Sequence, residues 1–221
     1  MNFNFAGIKK KLLPPLFTTA FHSEADVVFQ IHPFQLIKRL EEFRLFQWKP
    51  KPVFLLITGT GQHLKISSLE RMLKDIAPAL LINFGICGGL DTTLPLFQNY
   101  LVKRVYHLAE PEIPLELLHP EFYKRLLDHF PAYCLLTSEQ PVMQATLRQQ
   151  FHKQTSCHLL DMEGYKLAKT AINYSIPIIL LKQLSDYCDS ETVRNFQKNR
   201  FVWQNNLRKG LSRLLEILNR F

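Results

Sequence analysis

Two uninterrupted apolar runs, Val53 to Thr58 and Leu80 to Phe84, anchor the reading of this chain. Between them, Ser67 to Asp75 carries Leu69 and Met72 on one helical face. A strand, a crossover helix and a second buried strand predict parallel pairing. The later part repeats the alternation. Tyr133 to Thr137 reads as a strand, Glu139 to Val142 as a loop and Leu147 to Lys153 as a helix. His158 to Leu160 reads as a short strand leading into a helix over Met162 to Asn173, and Ile176 to Leu181 as a buried strand. Toward the start, Pro14-Pro15 ends a short arm (residues 1–15), Leu16 to Phe21 is strand-like and Ser23 to Val28 opens a helix. Apolar residues in Leu36 to Phe46 fall at helical intervals with charges between them and predict a helix, followed by a loop over Trp48 to Pro52. Leu207, Leu211, Leu214, Leu215 and Leu218 form the stripe of one long C-terminal helix, residues 191–221. No internal repeat interrupts the series. The expected architecture is a single three-layer α/β domain over 1–221, a twisted mixed sheet flanked by helices.

Composition narrows the class. With 221 residues, 47% hydrophobic and 21% charged, the chain has ordinary globular proportions and length for a full core. The net charge of +8 is dispersed from Lys9 to Arg220, and its longest run is Lys9-Lys10-Lys11. No RNA- or DNA-binding motif accompanies it, and Arg194, Lys198, Arg200, Arg208 and Lys209 read as a solvated helix face, so no nucleic-acid partner is expected. Cys87, Cys134, Cys157 and Cys188 lack paired metal-ligand spacing and read as reduced thiols, so no metal site is expected. No apolar run has the length of a membrane span, and the first charges follow the apolar residues, the reverse of a signal peptide. A cytoplasmic protein without a membrane partner is expected.

In α/β folds ligands bind beyond the carboxyl ends of strands. The apolar runs are followed by Phe21-His22-Ser23-Glu24, Thr58-Gly59-Thr60-Gly61, Gly85 to Asp91, Asp161-Met162-Glu163-Gly164 and Lys182 to Asp186. Glycines let backbone approach a ligand closely. The Gly85 segment lacks the Lys-Ser/Thr of a Walker loop and the register of a dinucleotide fingerprint. Glu24, Glu163 and Asp186, without Cys/His spacing, fit acid–base chemistry better than a metal. Spacing alone also permits a first-turn acid at Glu24, an exposed helix residue at Glu163 and a helix cap at Asp186.

Taken together, Asn83 to Leu90 (Asn-Phe-Gly-Ile-Cys-Gly-Gly-Leu), Asp161-Met162-Glu163-Gly164 and Leu184 to Asp189 (Leu-Ser-Asp-Tyr-Cys-Asp) resemble the purine nucleoside phosphorylase and nucleosidase superfamily. The closest type is bacterial 5′-methylthioadenosine/S-adenosylhomocysteine nucleosidase and its relative futalosine hydrolase. The resemblance spans about Thr19 to Asp189. It implies a nucleoside phosphorylase-like fold, a purine nucleoside substrate, no cofactor and a homodimer in which Tyr106-His107 approaches a neighbour's pocket. It implies Asp186 as the acid at purine N7, oriented by Ser185, and Glu24 as the group that binds and activates water. Glu163 would hold the ribose hydroxyls, with Met162 packed on the sugar. Gly85, Ile86, Gly88 and Gly89 would line the sugar or nucleophile end, and Val142 the base edge. The family's frequent aromatic near the 139–142 loop is absent, and its Arg before Ser-Asp is Lys182 here. The phosphorylases' Arg and Ser/Thr around the first glycine are Asn83 and Ile86, so water is the expected nucleophile. Phosphorolysis, or nucleoside binding without turnover, is the alternative.

Overall fold

The computed structural model describes residues 14–30, 32–40, 43–117 and 120–220. Most of the expected N-terminal arm, including Lys9 to Lys11, lies outside the described residues. The first half runs β1 (Pro15–Thr19), α1 (His22–Phe29), β2 (Gln35–Arg39), β3 (Arg44–Trp48), β4 (Val53–Ile57), α2 (Ile66–Ile76) and β5 (Leu80–Gly89). Then come β6 (Asn99–His107), β7 (Glu110–Glu116), α3 (Pro120–Leu127), β8 (Ala132–Thr137), α4 (Ala145–Thr155) and β9 (Leu159–Asp161). The chain ends in α5 (Gly164–Asn173), β10 (Ile178–Asp186), α6 (Thr192–Lys198) and α7 (Arg200–Leu218).

The mixed sheet is built around β5, the most central of the apolar runs. β5 pairs in parallel with β1 and β10, and antiparallel with the short β9. On one side β1, β4, β3 and β2 extend it as an open wing. On the other, β10, β6, β8 and β9 follow one another and return to β5, so five strands form a closed ring. β7 pairs with β6 outside the ring. Helix α7 covers β10 and α1 with buried Trp203, Leu207, Leu211, Leu214 and Leu215, and α5 buries Leu167, Ala168 and Ala171 in a second apolar cluster. The expected three-layer α/β fold with a mixed sheet flanked by helices is the one observed.

Three expectations are corrected. Leu36 to Phe46 is not a helix: β2 and β3 form an antiparallel hairpin in which Leu36 pairs with Phe46. Strand β3 in turn completes the hydrogen bonding of β4, from Arg44 opposite Ile57 to Trp48 opposite Val53. This tertiary demand outweighs the helical spacing. Second, Gly85 to Gly89 does not follow the strand but forms the second half of β5. Its glycines satisfy space rather than φ: a Cβ at Gly85 would lie 2.5 Å from Glu24 Oε1, and one at Gly88 would strike Cys188 Sγ. Third, the C-terminal helix is two helices. The chain turns at Asn199 (φ −99°, ψ 15°), which lets Trp203 stack on Phe196 with ring centroids 5.4 Å apart and donate its Nε1–H to the Phe196 carbonyl. The β6–β7 hairpin and α3 had no clear sequence signature.

Candidate active site

The carboxyl ends of β1, β5, β9 and β10 converge on one cleft. Glu24, Ile86, Gly88, Val142, Met162, Glu163, Ser185 and Asp186 all line it. Gly85 does not; it sits behind Glu24, where its missing side chain makes room for the carboxylate. Gly89 is likewise outside, packed against Leu184 and Tyr187.

Glu24 is held in the first turn of α1 and is 1% exposed. Its Oε2 accepts from Thr19 Oγ1 (2.7 Å), Ala20 N (3.0 Å) and Phe21 N (2.9 Å). Oε1 accepts from Ile86 N at 2.8 Å. Glu24 is a first-turn acid of α1 whose carboxylate also crosses to the glycine strand. Oε1, with a single donor, retains an acceptor position.

Strand alternation would send Ser185 and Asp186 to opposite faces. A bulge between Leu184 and Asp186 in the β10–β5 register, with Asp186 opposite Gly88, brings both to the cleft. Asp186 Oδ2 accepts from Ser185 Oγ at 2.7 Å. Oδ1 accepts from Cys188 N (2.9 Å) and from Thr192 Oγ1 at the start of α6 (2.8 Å). Cys188 reaches that position with φ 52°, an uncommon conformation for a non-glycine residue. Burial pushes the Asp186 carboxyl above the ordinary aspartate value, and the hydrogen bonds from Ser185, Cys188 and Thr192 oppose the rise. Burial also pushes up the Cys87 and Cys188 thiols that line the cleft, so both are protonated at neutral pH.

A third cluster lies beneath the Asp161-Met162-Glu163-Gly164 motif. Lys182 is fully buried, with Nζ 2.8 Å from Asp161 Oδ2 and 2.5 Å from Glu163 Oε1. Asp161 also accepts from Thr137 Oγ1 (2.7 Å) and from Gly164 N (2.9 Å), so it caps α5 as it pairs with the lysine. Burial disfavours the Lys182 ammonium, but Asp161 and Glu163 more than offset this and hold its pKa above the ordinary lysine value. Burial pushes Glu163 up to about 8, with Lys182 opposing and the Asp161 and Glu24 carboxylates reinforcing the rise. Glu163 is 4% exposed, not a solvated helix residue.

Sequence reading missed several lining residues. Phe21, Thr60, Cys87, Asp161 and Thr192 all face the cleft. Asp161 stood inside a recognised motif; Thr192 had no signal, since its place depends on how α6 returns over β10. Tyr106 and His107 do not line the cleft of their own chain. His107 instead lies beside the 139–142 loop, with Nε2 3.3 Å from Glu139 Oε1. Among the described residues, no cluster of three or more His, Cys, Asp or Glu side chains is arranged to hold a metal, and no helix is long and apolar enough to cross a membrane.

The fold and this cleft define a member of the phosphorylase superfamily: the sequence model of that family matches residues 19–219, and the chain belongs to it. A 5′-methylthioadenosine/S-adenosylhomocysteine nucleosidase of Buchnera aphidicola subsp. Acyrthosiphon pisum (strain Tuc7) is 24% identical, the match covering 90% of this chain and 96% of the relative. A solved structure of 5′-methylthioadenosine/S-adenosylhomocysteine nucleosidase from Helicobacter pylori, with butyl-thio-DADMe-Immucillin-A, superposes with a TM-score of 0.80 at 13% identity, over 92% of this chain and 97% of that one. A futalosine hydrolase mutant from Helicobacter pylori strain 26695 gives a TM-score of 0.79 at 13% identity, over 93% and 98%. These structural likenesses concern the fold.

Proposed function

We propose that the chain is a nucleosidase that hydrolyses the N-glycosidic bond of a purine nucleoside of the 5′-methylthioadenosine, S-adenosylhomocysteine or futalosine type. The names of its relatives support the reaction. One observation of the chain itself carries the choice of water over phosphate: the cleft is lined by Glu24, Asp161, Glu163 and Asp186 and by no lysine or arginine among the described residues. Lys182, the cation nearest the motifs, is bound to two carboxylates. A phosphate dianion would meet carboxyl groups, Glu24 foremost, without the charge-assisted donors that hold such groups.

Cleavage leaves positive charge on the ribose and negative charge on the purine. Asp186, favoured in its acid form by burial, donates its proton to N7 as the bond from C1′ to N9 breaks and its electron pair passes to the base. Glu24 binds water through the acceptor position on Oε1 and takes its proton as the water oxygen bonds to C1′. Two carboxyls with opposed protonation states divide the work. Ser185 orients Asp186. Glu163, anchored through Oε1, offers Oε2 to the ribose hydroxyls, and Met162 packs on the sugar. Ile86 and Gly88 border the nucleophile end, and Val142 the base edge. No cofactor enters the scheme. A homodimer and a cytoplasmic setting go with this reading; light scattering that found a fully active monomer would remove the first.

The test is base release from 5′-methylthioadenosine, S-adenosylhomocysteine, 5′-deoxyadenosine and futalosine. One or more should be cleaved, and Asp186→Asn should lower kcat by ~10²–10⁴-fold, the usual contribution of a positioned acid. Retention of more than half the rate would refute the assigned acid.

A further inference from the structure

The 139–142 loop presents Pro141 and Val142 to the cleft, and the turn at Gly59 to Gly61 presents Thr60. The two segments come from distant parts of the chain and touch directly: a Cβ on Gly61 would lie 2.4 Å from the Glu139 carbonyl oxygen. One side chain ties them together. Lys166, on α5, donates from Nζ to the Gly61 carbonyl at 2.8 Å and to Glu139 Oε2 at 2.8 Å. The other Glu139 oxygen faces His107. Lys166 stands one helical turn beyond Glu163, so the group that ties the loops is indexed to the sugar-facing carboxyl.

The helix does not need this lysine head. Helix α5 is anchored by the Asp161 cap on Gly164 N, by Tyr165 N donating to Thr137 Oγ1, and by its buried apolar residues. The loop draws its side-chain tether from it. Among the described residues, the hydrogen bonds from 139–142 to a distant element run through the Glu139 side chain, while the Gln140 carbonyl accepts from Ser138, whose own N–H is held by the Asp161 carbonyl at 2.9 Å. The pair is partly exposed, and such pairs are individually weak. Here, however, the same ammonium also holds a backbone carbonyl, and its partner is the tether of a short segment.

We propose that Lys166 is a positioning residue that clamps the Thr60 turn to the Glu139–Val142 loop and so sets the grip of the cleft on the base of its substrate. Its functional part rests on the nucleosidase reading above. In a loop with no aromatic to stack on a purine, Pro141 and Val142 hold the base by apolar contact, which is sensitive to small displacements. The clamp acts on binding rather than on the acid or the water.

The experiment has two readouts. In the protein without ligand, amide hydrogen exchange is followed at Thr60, Gly61, Ser138, Glu139, Gln140 and Val142. Lys166→Met should speed it about tenfold at these positions, as expected for loss of charge-assisted bonds. Lys166→Arg should leave it near wild type. Glu139→Gln should give part of the effect, and Lys166→Met/Glu139→Gln should equal Lys166→Met alone, because the two act as a unit. With whichever panel nucleoside the wild type cleaves, Lys166→Met should raise KM about tenfold with kcat within threefold, and Arg should restore KM. Unchanged exchange in Lys166→Met overturns the clamp, and faster exchange with an unchanged KM overturns its role in binding. A wild type that cleaves nothing in the panel counts against the nucleosidase reading, while the exchange readout still judges the clamp.

Discussion

Replacing Gly85 by Ala probes Glu24, the carboxylate proposed to bind water, without replacing it. Gly85 lies in β5 and is not in the left-handed region, so alanine's backbone preferences are met. Only space opposes the change. The new Cβ would lie 2.5 Å from Glu24 Oε1 and 3.1 Å from Glu24 Cδ. Relief to ordinary contact needs a displacement of about 1 Å, and that scale of misplacement can cost roughly 10²-fold in rate. The carboxylate cannot move freely, because Thr19, Ala20 and Phe21 fix Oε2. Movement of Oε1 therefore stretches its 2.8 Å bond from Ile86 N, the bond beside the free acceptor position. Overpacking costs about 1–3 kcal/mol, a fall in Tm of roughly 2–12 °C for a chain of this size. Gly210→Ala is the control: its Cβ would meet the Asn99 side chain at 2.4 Å, in α7 and outside the cleft. Both variants should lose stability, but only Gly85→Ala should lose kcat, by about 10²-fold. Base release at fixed folded concentration, with thermal unfolding alongside, makes the comparison. A folded Gly85→Ala with wild-type kcat would refute the assignment of Glu24.

The remaining expectations concern proton and charge. Because burial raises the Asp186 pKa and the scheme needs its acid form, kcat/KM should fall as pH rises through that raised value, and a profile without this limb would count against it. The stability linkage has the same sign: the contribution of protonated Asp186 is fully present below its unfolded pKa and is lost as pH rises through the folded one. Lys182→Met leaves Asp161 and Glu163 buried without their cation and should cost about 3–5 kcal/mol. Denaturant unfolding measures this, and a variant as stable as wild type would show that the pair is not the support described.

The parts of the fold that were legible in the sequence were those fixed by local pattern. Continuous apolar runs marked β4 and the first halves of β5 and β10, and paired leucines marked α7. What failed depended on distant partners. Leu36 to Phe46 has helical spacing, yet β4 needs an antiparallel neighbour and obtains it from β3. The glycines of β5 read as a segment beyond the strand, but their reason is the carboxylate of Glu24 and the sulfur of Cys188, both far away in sequence. Asp186 and Glu24 were visible as acids at strand ends. Their hydrogen-bond partners were only partly so, and Thr192 and the Lys182 pairing with Asp161 were not visible at all. Lys166 illustrates the same limit, since a lysine on an amphipathic helix gives no sign that its head joins two loops.

The central claim is that a cleft of buried carboxyl groups, with no lysine or arginine among its described lining residues, directs water to the anomeric carbon. It is tested most directly by following base release from the cleaved nucleoside in phosphate-free buffer, then after adding millimolar phosphate, with the sugar product identified by mass spectrometry. The account predicts full activity without phosphate, no stimulation on adding it, and free sugar carrying one oxygen from solvent when the reaction runs in ¹⁸O-water. Activity absent until phosphate is added, with a sugar 1-phosphate as product, would contradict it.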